Sequence, residues 1–357
     1  MISNNVNKIL HGDCVDILKS IPDNTIDLIF ADPPYNLQLQ NELWRPNQTK
    51  VAGVNDKWDK FADFDTYDNF SIAWLSECRR VLKKDGAIWV IGSYHNIFRL
   101  GRIIQDTGFW ILNDILWIKT NPMPNFKGTR FNNAHETLIW ASKQKDSRYT
   151  FHYKTMKSFN DDLQLRSDWY IPICNGNERI KINGRKAHST QKPEALLHRI
   201  ISATSNPGDI VLDPFAGSGT TLAVAKKLGR NFIGIERESF YVDIINRRLD
   251  SIKSPDTQNL GYPLEAKKPR VPFGNLIENG YIKSGELLYS KDRKHQARVL
   301  SNGTVTVDEI CGSIHKVGAE LINKPSCNGW TFWYVERDGA LVSIDELRER
   351  FISESVI

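Results

Sequence analysis

Two short stretches hold residues whose types and spacing can do chemistry. The first, Asp32-Pro33-Pro34-Tyr35, follows the apolar run "IDLIFA" at 26–31. An exocyclic amine on a nucleobase attacks electrophiles poorly because its lone pair is delocalised into the ring. Two acceptors that grip its two hydrogens favour a pyramidal nitrogen with the lone pair directed outward. The Asp32 carboxylate is one such acceptor. The Pro33 carbonyl is a second, and the paired prolines, Pro33 and Pro34, fix its direction by restricting φ and removing backbone donors. Tyr35 adds an aromatic face on which a base can stack. The stretch reads as a rigid clamp for an amino group on a planar ring.

The second stretch is "VLDPFAGSGTT", residues 211–221. A short apolar run delivers Asp213 to a strand end. Gly217 and Gly219 then permit a sharp turn and let a ligand approach the backbone. The next apolar run ends in Glu236, 17 positions after Gly219, where an acid can accept hydrogen bonds from both hydroxyls of a ribose. The third glycine of a dinucleotide site is missing, and no Lys-Ser/Thr pair of a phosphate loop follows. A ribose is implied and a pyrophosphate is not. S-adenosylmethionine fits: it carries an adenosine and a methionine tail, and no phosphate.

The surrounding pattern must place both stretches on one edge. Strands are expected at 7–11, 26–31, 87–93, 109–118, 136–142, 209–213 and 231–238, with helices at 14–21, 67–86, 96–106, 192–205, from Thr220 to 229, and 239–253. Gly86 is expected to close the second helix. This alternation implies a parallel sheet with helices on both faces, whose carboxyl edge holds the ligand. Residues 36–64 read as a long polar loop and 143–186 as a basic, irregular insert. Near 251–272 a proline-rich stretch marks a linker. A smaller unit follows, with short strands, a helix near 314–322, "WTFWYV" (330–335) as a strand and a terminal helix. Strand alternation would put Trp330 and Phe332 on one side and Thr331 and Trp333 on the other.

The formal charge of +5 is uneven: residues 119–192 hold 14 Lys/Arg against 6 Asp/Glu, a surplus of +8. That suits a polyanionic partner. Lys127 and Arg130 sit in a Gly/Pro/Asn-rich loop beside the clamp edge, with Phe126 and Phe131 available to stack, and Arg45 sits in the long loop. The tail is balanced, with 9 basic and 5 acidic residues over 251–300 and the reverse, 5 and 9, over 301–357, so it is not a simple basic arm. Five cysteines without a CxxC pair argue against a disulfide framework or a zinc site and fit a reducing cytoplasm. His11, His95, His135 and His188 show no metal-ligand spacing, so no metal is expected. Neither a signal peptide nor a membrane span is expected.

DPPY with DPFAGSG placed after it resembles an amino-group DNA methyltransferase of the permuted β class, in which the catalytic half precedes the cofactor motif. "HGDC" (11–14), "WVIGSYHNIF" (89–98), "NPMPNFKGTRFNNAHETLIW" (121–140), "QKPEALL" (191–197) and "NGWTFW" (328–333) extend the resemblance over nearly the whole chain. It is most similar to the bacterial cell-cycle-regulated adenine-N6 enzymes that modify GANTC. The tail resembles the restriction-enzyme-adenine-methylase-associated domain. The resemblance implies a doubly wound, Rossmann-like α/β sheet with permuted motif order over 1–255, a linker over 256–271, and a small α+β DNA-recognition domain over 272–357. It implies Asp13 at the cofactor's adenine with Cys14 beside it. Phe215, Gly217, Ser218, Gly219 and Thr220 fall at the methionine end, Asp213 at the same edge, Glu236 at the ribose with Arg237 following, and Lys192 in a segment closing over the cofactor. It also implies that His315 and Lys316 of "GSIHK", and Asn328 and Trp330 of "NGW", touch double-stranded DNA.

The target base must leave the helix for its amino group to reach the clamp. Asp rather than Ser before Pro-Pro favours adenine by the same resemblance. Cytosine N4, an RNA base and a non-catalytic DNA-binding regulator stand as the alternatives. Related enzymes are often dimers, so a homodimer is the expected assembly, in a bacterial cytoplasm with the nucleoid as the place of action.

Overall fold

The computed structural model describes residues 5–37, 59–125, 128–182, 184–188, 190–253 and 271–355. The chain separates into two units, residues 1–263 and 264–357. The expected contacts Arg45 and Lys127 lie outside the described residues, as do Phe126 and all of the expected linker except Val271.

In the first unit the apolar runs become strands of one sheet: β1 (Lys8–His11), β2 (Ile26–Ala31), β3 (Leu82–Gly92), β4 (Trp110–Lys119), β5 (His135–Ser142) and β6 (Asp168–Ile171). A separate hairpin, β7 (Lys181–Ile182) with β8 (Arg185–Lys186), precedes the last two sheet strands, β9 (Ile210–Asp213) and β10 (Asn231–Glu236). The sheet order is β1-β10-β9-β2-β3-β5-β4-β6. Helices α1 (Cys14–Ser20), α2 (Phe64–Val81) and α3 (Ile97–Asp106) cover one face. After the short α4 (Tyr153–Ser158), α5 (Glu194–Thr204), α6 (Thr220–Lys227) and α7 (Ser239–Asp250) cover the other. Period-two alternation feeds both cores: Ile29 and Ala31 of β2 join the first, Leu28 and Phe30 the second.

The topology creates the site. β2 and β9 are parallel neighbours, but their crossovers diverge, β2 leading through α2 to β3 and β9 through α6 to β10. Such a switch point leaves a crevice outside the carboxyl ends of the strands. Asp32-Pro33-Pro34-Tyr35 leaves β2 there and the glycine turn leaves β9 there.

Three expectations are corrected. The sheet is not wholly parallel: β5 runs antiparallel to both β3 and β4. Among the described residues no helix separates β4 from β5, and only a long crossover could have made that pair parallel. Helix α2 stops at Val81, where the Leu82 N–H bonds the Cys78 carbonyl, so Gly86 does not cap it. Gly86 lies in β3, within the register shift that moves pairing from Ile26↔Leu82 to Leu28↔Ala87. A Cβ at Gly86 would stand 2.7 Å from Leu82 Cδ1 and 2.9 Å from the Asp27 carbonyl oxygen, so close packing selects this glycine.

The third correction concerns the second unit. It folds α8 (Phe273–Glu278) and an antiparallel sheet of β11 (Leu287–Ser290), β12 (Gln296–Val299), β13 (Val305–Val307), β14 (Ile310–Gly312), β15 (Trp333–Arg337) and β16 (Ala340–Ser343), with helices α9 (Ile314–Leu321), α10 (Gly329–Phe332) and α11 (Ile344–Ser355). "GWTF" is the helical turn α10, not strand. Helical spacing of three therefore brings Trp330 and Trp333 together into the core.

Candidate active site

The clamp loop is held from below. The Tyr67 hydroxyl of α2 donates to the Pro34 carbonyl at 2.9 Å, and the Asn96 amide, which precedes α3, reaches the same oxygen at 3.4 Å. Asn96 also donates to the Tyr67 hydroxyl at 3.1 Å and accepts from the Ser93 N–H at 3.0 Å. Beyond Tyr35, the Asn36 and Leu37 N–H groups bond the Asp59 carboxylate at 2.7 and 3.2 Å. With Pro34 committed to this brace, the Pro33 carbonyl is the clamp acceptor that no described residue hydrogen-bonds.

The Asp32 carboxylate is divided in function. Oδ2 accepts from the Lys192 ammonium at 2.7 Å, whereas Oδ1 is shielded from solvent and meets no hydrogen-bond partner. A buried acceptor without a donor is costly and marks a place for a ligand donor. Lys192, expected in a segment closing over the cofactor, lines the cavity and bonds the clamp acid, with its ammonium 5.2 Å from the Tyr35 ring centre. Sequence reasoning missed the next member. Glu136 accepts from the Tyr35 hydroxyl at 2.9 Å and pairs with Lys119 at 2.8 Å and Lys192 at 3.8 Å. Burial pushes the Asp32 carboxyl up and Lys192 pulls it back. Burial likewise opposes charge on Glu136 and Lys192, but their oppositely charged neighbours more than offset it, so Glu136 is lowered and Lys192 raised.

The glycine turn is equally constrained. Gly217 and Gly219 take φ of 53° and 73°, the left-handed region that favours glycine. Glu236 Oε2 accepts from the Gly217 N–H at 2.8 Å and Oε1 from the Glu238 N–H at 2.9 Å. Each oxygen keeps a second lone pair for a ribose hydroxyl. On the outer side, one Arg248 nitrogen donates to the Ser218 carbonyl at 2.9 Å and the Thr220 hydroxyl at 3.2 Å, while the other pairs with Glu194 at 2.8 Å. Asp213 turns back to accept from the Phe215 N–H at 3.0 Å, and burial pushes its carboxyl to about 7.

Between clamp and turn lies a cavity of about 310 Å³, in the range of small-molecule sites. Asp32, Pro33, Pro34 and Tyr35 line it, as do Asp13, Cys14, Lys192, Asp213, Phe215, Gly217, Ser218, Thr220, Glu236 and Arg237. Gly219 stands behind the wall, against Ile245. Asp13 caps α1 by accepting from the Val15 N–H at 2.9 Å. Burial pushes the Cys14 thiol up to about 12, which makes it an apolar wall. His188 also lines the cavity, against the Tyr241 ring at 4.8 Å, and burial with nearby Lys192 and Arg179 lowers its imidazole to about 4. The sequence had assigned His188 and Tyr241 no part. The residues fit S-adenosylmethionine: a glycine cradle, an acid on that cradle with acceptor capacity for hydroxyls, apolar walls, and the Asp32 carboxylate across the cavity. Among the described residues no cluster of His, Cys, Asp or Glu could hold a metal, and no helix is long and apolar enough to cross a membrane.

Of the expected DNA contacts, Arg130 is exposed, with its guanidinium 5.9 Å from the ring of Tyr94, which follows β3 at the clamp edge. Phe131 is wholly exposed. In the second unit His315, Lys316 and Asn328 are exposed. Trp330 is corrected: it is buried in the core beneath the Arg348 guanidinium, 4.5 Å from the ring centre, because α10 turns it inward.

Residues 26–247 match the N6/N4 DNA methylase family, and residues 253–355 match the restriction enzyme adenine methylase associated domain. The chain is 50% identical over 354 residues, 99% of both chains, to the Type II methyltransferase M.HinfI of Haemophilus influenzae. It is 43% identical over 243 residues, 68% of this chain and 88% of the relative, to the Type II methyltransferase M2.LlaDCHI of Lactococcus lactis subsp. cremoris. Among solved structures, the M1.HpyAVI complex with SAM is similar at a TM-score of 0.50 and 30% identity, covering 68% of this chain and 98% of that one. The cytosine-N4-specific PvuII DNA methyltransferase shares the fold, at a TM-score of 0.54 and 23% identity over 71% of this chain and 90% of that one. With the clamp and the cofactor turn meeting at one switch point, these likenesses place the chain in the N6/N4 family of S-adenosylmethionine-dependent DNA methyltransferases.

Proposed function

We propose that the enzyme methylates adenine N6 in double-stranded DNA, at GANTC, as part of cell-cycle-linked DNA methylation. The observation that carries the reading is the shielded, unpartnered Oδ1 of Asp32, followed in the chain by Pro33, whose own carbonyl is left free while that of Pro34 is braced. Two acceptors so placed take the two hydrogens of a flipped amino group and direct its lone pair across the cavity. S-adenosylmethionine, when bound, supplies a methyl group on a sulfonium sulfur. Tyr35 stacks on the base, Lys192 keeps Asp32 ionised, and Asp32 Oδ1 is the nearest acceptor for the proton that the methylated nitrogen sheds. Positioning and fixed charge account for the rate, without a covalent intermediate. The choice of adenine over cytosine rests on the resemblance of Asp-Pro-Pro-Tyr to the adenine enzymes.

Arg130 over the exposed Tyr94 ring, with the exposed Phe131 next in the chain, supplies cationic and aromatic groups suited to phosphates and unstacked bases. We assign DNA reading also to His315, Lys316 and Asn328, and to Arg45 and Lys127 by position in the sequence. A homodimer in a bacterial cytoplasm is the assembly and setting that follow from the resemblance. The test is transfer of labelled methyl groups to GANTC duplexes, followed by nucleoside analysis. N6-methyladenine is expected. N4-methylcytosine, or label independent of GANTC, sinks the reading.

A further inference from the structure

The sequence assigns Glu136 no chemical part, yet it accepts from the clamp's Tyr35 hydroxyl and stands beside the lysine that holds the clamp acid. It stands near the start of β5. Because β5 is reversed, its first residues lie at the carboxyl end of β3, which is the reactive edge. The Glu136 side chain is 12% exposed. A structural carboxylate would be satisfied by Lys119 alone, at 2.8 Å on Oε1. Here Oε2 also takes the Tyr35 hydroxyl at 2.9 Å and stands 3.8 Å from the Lys192 ammonium. Two carboxylates, Asp32 and Glu136, thus share two ammoniums, Lys119 and Lys192. A neutral buried set of this kind depends on every member, since removal of one leaves another uncompensated.

We propose that Glu136 is a positioning residue for methyl transfer: through the Tyr35 hydroxyl it sets the ring plane on which the flipped base stacks, and through the shared Lys192 it sets the charge on the clamp acid. The proposal rests on the clamp reading of Asp32 and Tyr35. The charged and titratable groups around Asp32 are Tyr35 on its own loop, Lys192 before α5, Glu136 on β5, Lys119 on β4 and Asp213 on β9. Of these Glu136 is a carboxylate that raises Asp32, so its neutralisation lowers the pH at which Asp32 ionises.

The test uses the full chain and two variants. Glu136→Gln keeps an oxygen for the Tyr35 hydroxyl and removes the charge; Tyr35→Phe removes the hydroxyl and keeps the ring. Methyl transfer is measured across pH, with the fluorescence of a duplex carrying 2-aminopurine at the target position. For Glu136→Gln we expect kcat to fall about tenfold or more, KM for S-adenosylmethionine to change little, and the acid limb of kcat to move to lower pH. For Tyr35→Phe we expect lower kcat and 2-aminopurine less quenched in the bound state, from looser stacking, with the acid limb not moved to lower pH, because the Tyr35 hydroxyl itself helps hold the Asp32 carboxyl down. A Glu136→Gln enzyme with wild-type kcat and acid limb overturns the proposal. If Glu136→Gln does not fold, Tyr35→Phe decides: wild-type kcat and quenching overturn it, and loss of both supports it. Inactive wild-type enzyme on every duplex overturns instead the function on which the proposal stands.

Discussion

Replacing Lys192 by methionine removes one half of the buried pair on which the clamp depends. The Lys192 and Asp32 side chains are 8% and 19% exposed, with 2.7 Å between charged atoms. Removing one partner of such a pair costs about 3–5 kcal/mol, because the other charge is left buried. Asp32 can relieve the cost by binding a proton, and each unit of rise in its pKa corresponds to about 1.4 kcal/mol. The sign follows. Without Lys192 the Asp32 carboxyl rises further above its ordinary range, so the folded variant binds a proton that wild type does not. The stability lost by Lys192→Met therefore grows as pH rises through the interval between the wild-type and variant Asp32 values, and levels off above it. Urea unfolding at pH 5.5 and pH 8 should show a loss of about 3 kcal/mol at the higher pH and a smaller one at the lower. The acid limb of methyl transfer should move upward. Adding Asp32→Asn to Lys192→Met should recover most of the stability at pH 8 and none of the activity. Equal stability of Lys192→Met and wild type at both pH values, with an unmoved acid limb, would refute the reasoning.

Three further outcomes are expected. Gly219→Ala places a Cβ at φ 73° and 2.9 Å from Ile245 Cγ2, so the thermal or urea midpoint should fall by the equivalent of about 2–4 kcal/mol, with weaker S-adenosylmethionine binding by calorimetry. Asp213, with its carboxyl held near 7 by burial, ionises at a cost; Asp213→Asn should gain stability relative to wild type as pH rises from about 4 to about 7, and a pH-independent difference in melting would contradict the assignment. Deleting residues 271–357 should abolish GANTC-specific binding in gel-shift titrations, and a truncated enzyme still methylating GANTC would remove the second unit from recognition.

The two reactive stretches were legible because their chemistry is local. Asp-Pro-Pro-Tyr and Gly-Ser-Gly each follow a compact β-branched or aromatic run, and a parallel strand delivers whatever follows it to the carboxyl edge. Glu136 was hidden for the complementary reason. Its place at the same edge depends on β5 being reversed, a fact of strand pairing that no window of sequence contains. Arg248 and Asn96 act similarly across many residues, one bracing the glycine turn from α7 and the other the Pro34 carbonyl from the start of α3. Gly86 shows that a glycine after a helical pattern can answer to a neighbour's backbone rather than to a cap. Trp330 shows that an aromatic run with strong strand propensity yields to a four-residue helical turn, begun where the Asn328 side chain accepts from the Trp330 N–H at 3.2 Å.

The central claim concerns two oxygens, and a structure of the enzyme with a GANTC duplex and a non-reactive cofactor analogue measures them directly. The account predicts a flipped adenine stacked on Tyr35, with its N6 about 3 Å from both Asp32 Oδ1 and the Pro33 carbonyl oxygen. An adenine that enters the cavity with its amino group bonded elsewhere, leaving Oδ1 unpaired or turned to another protein group, would contradict it.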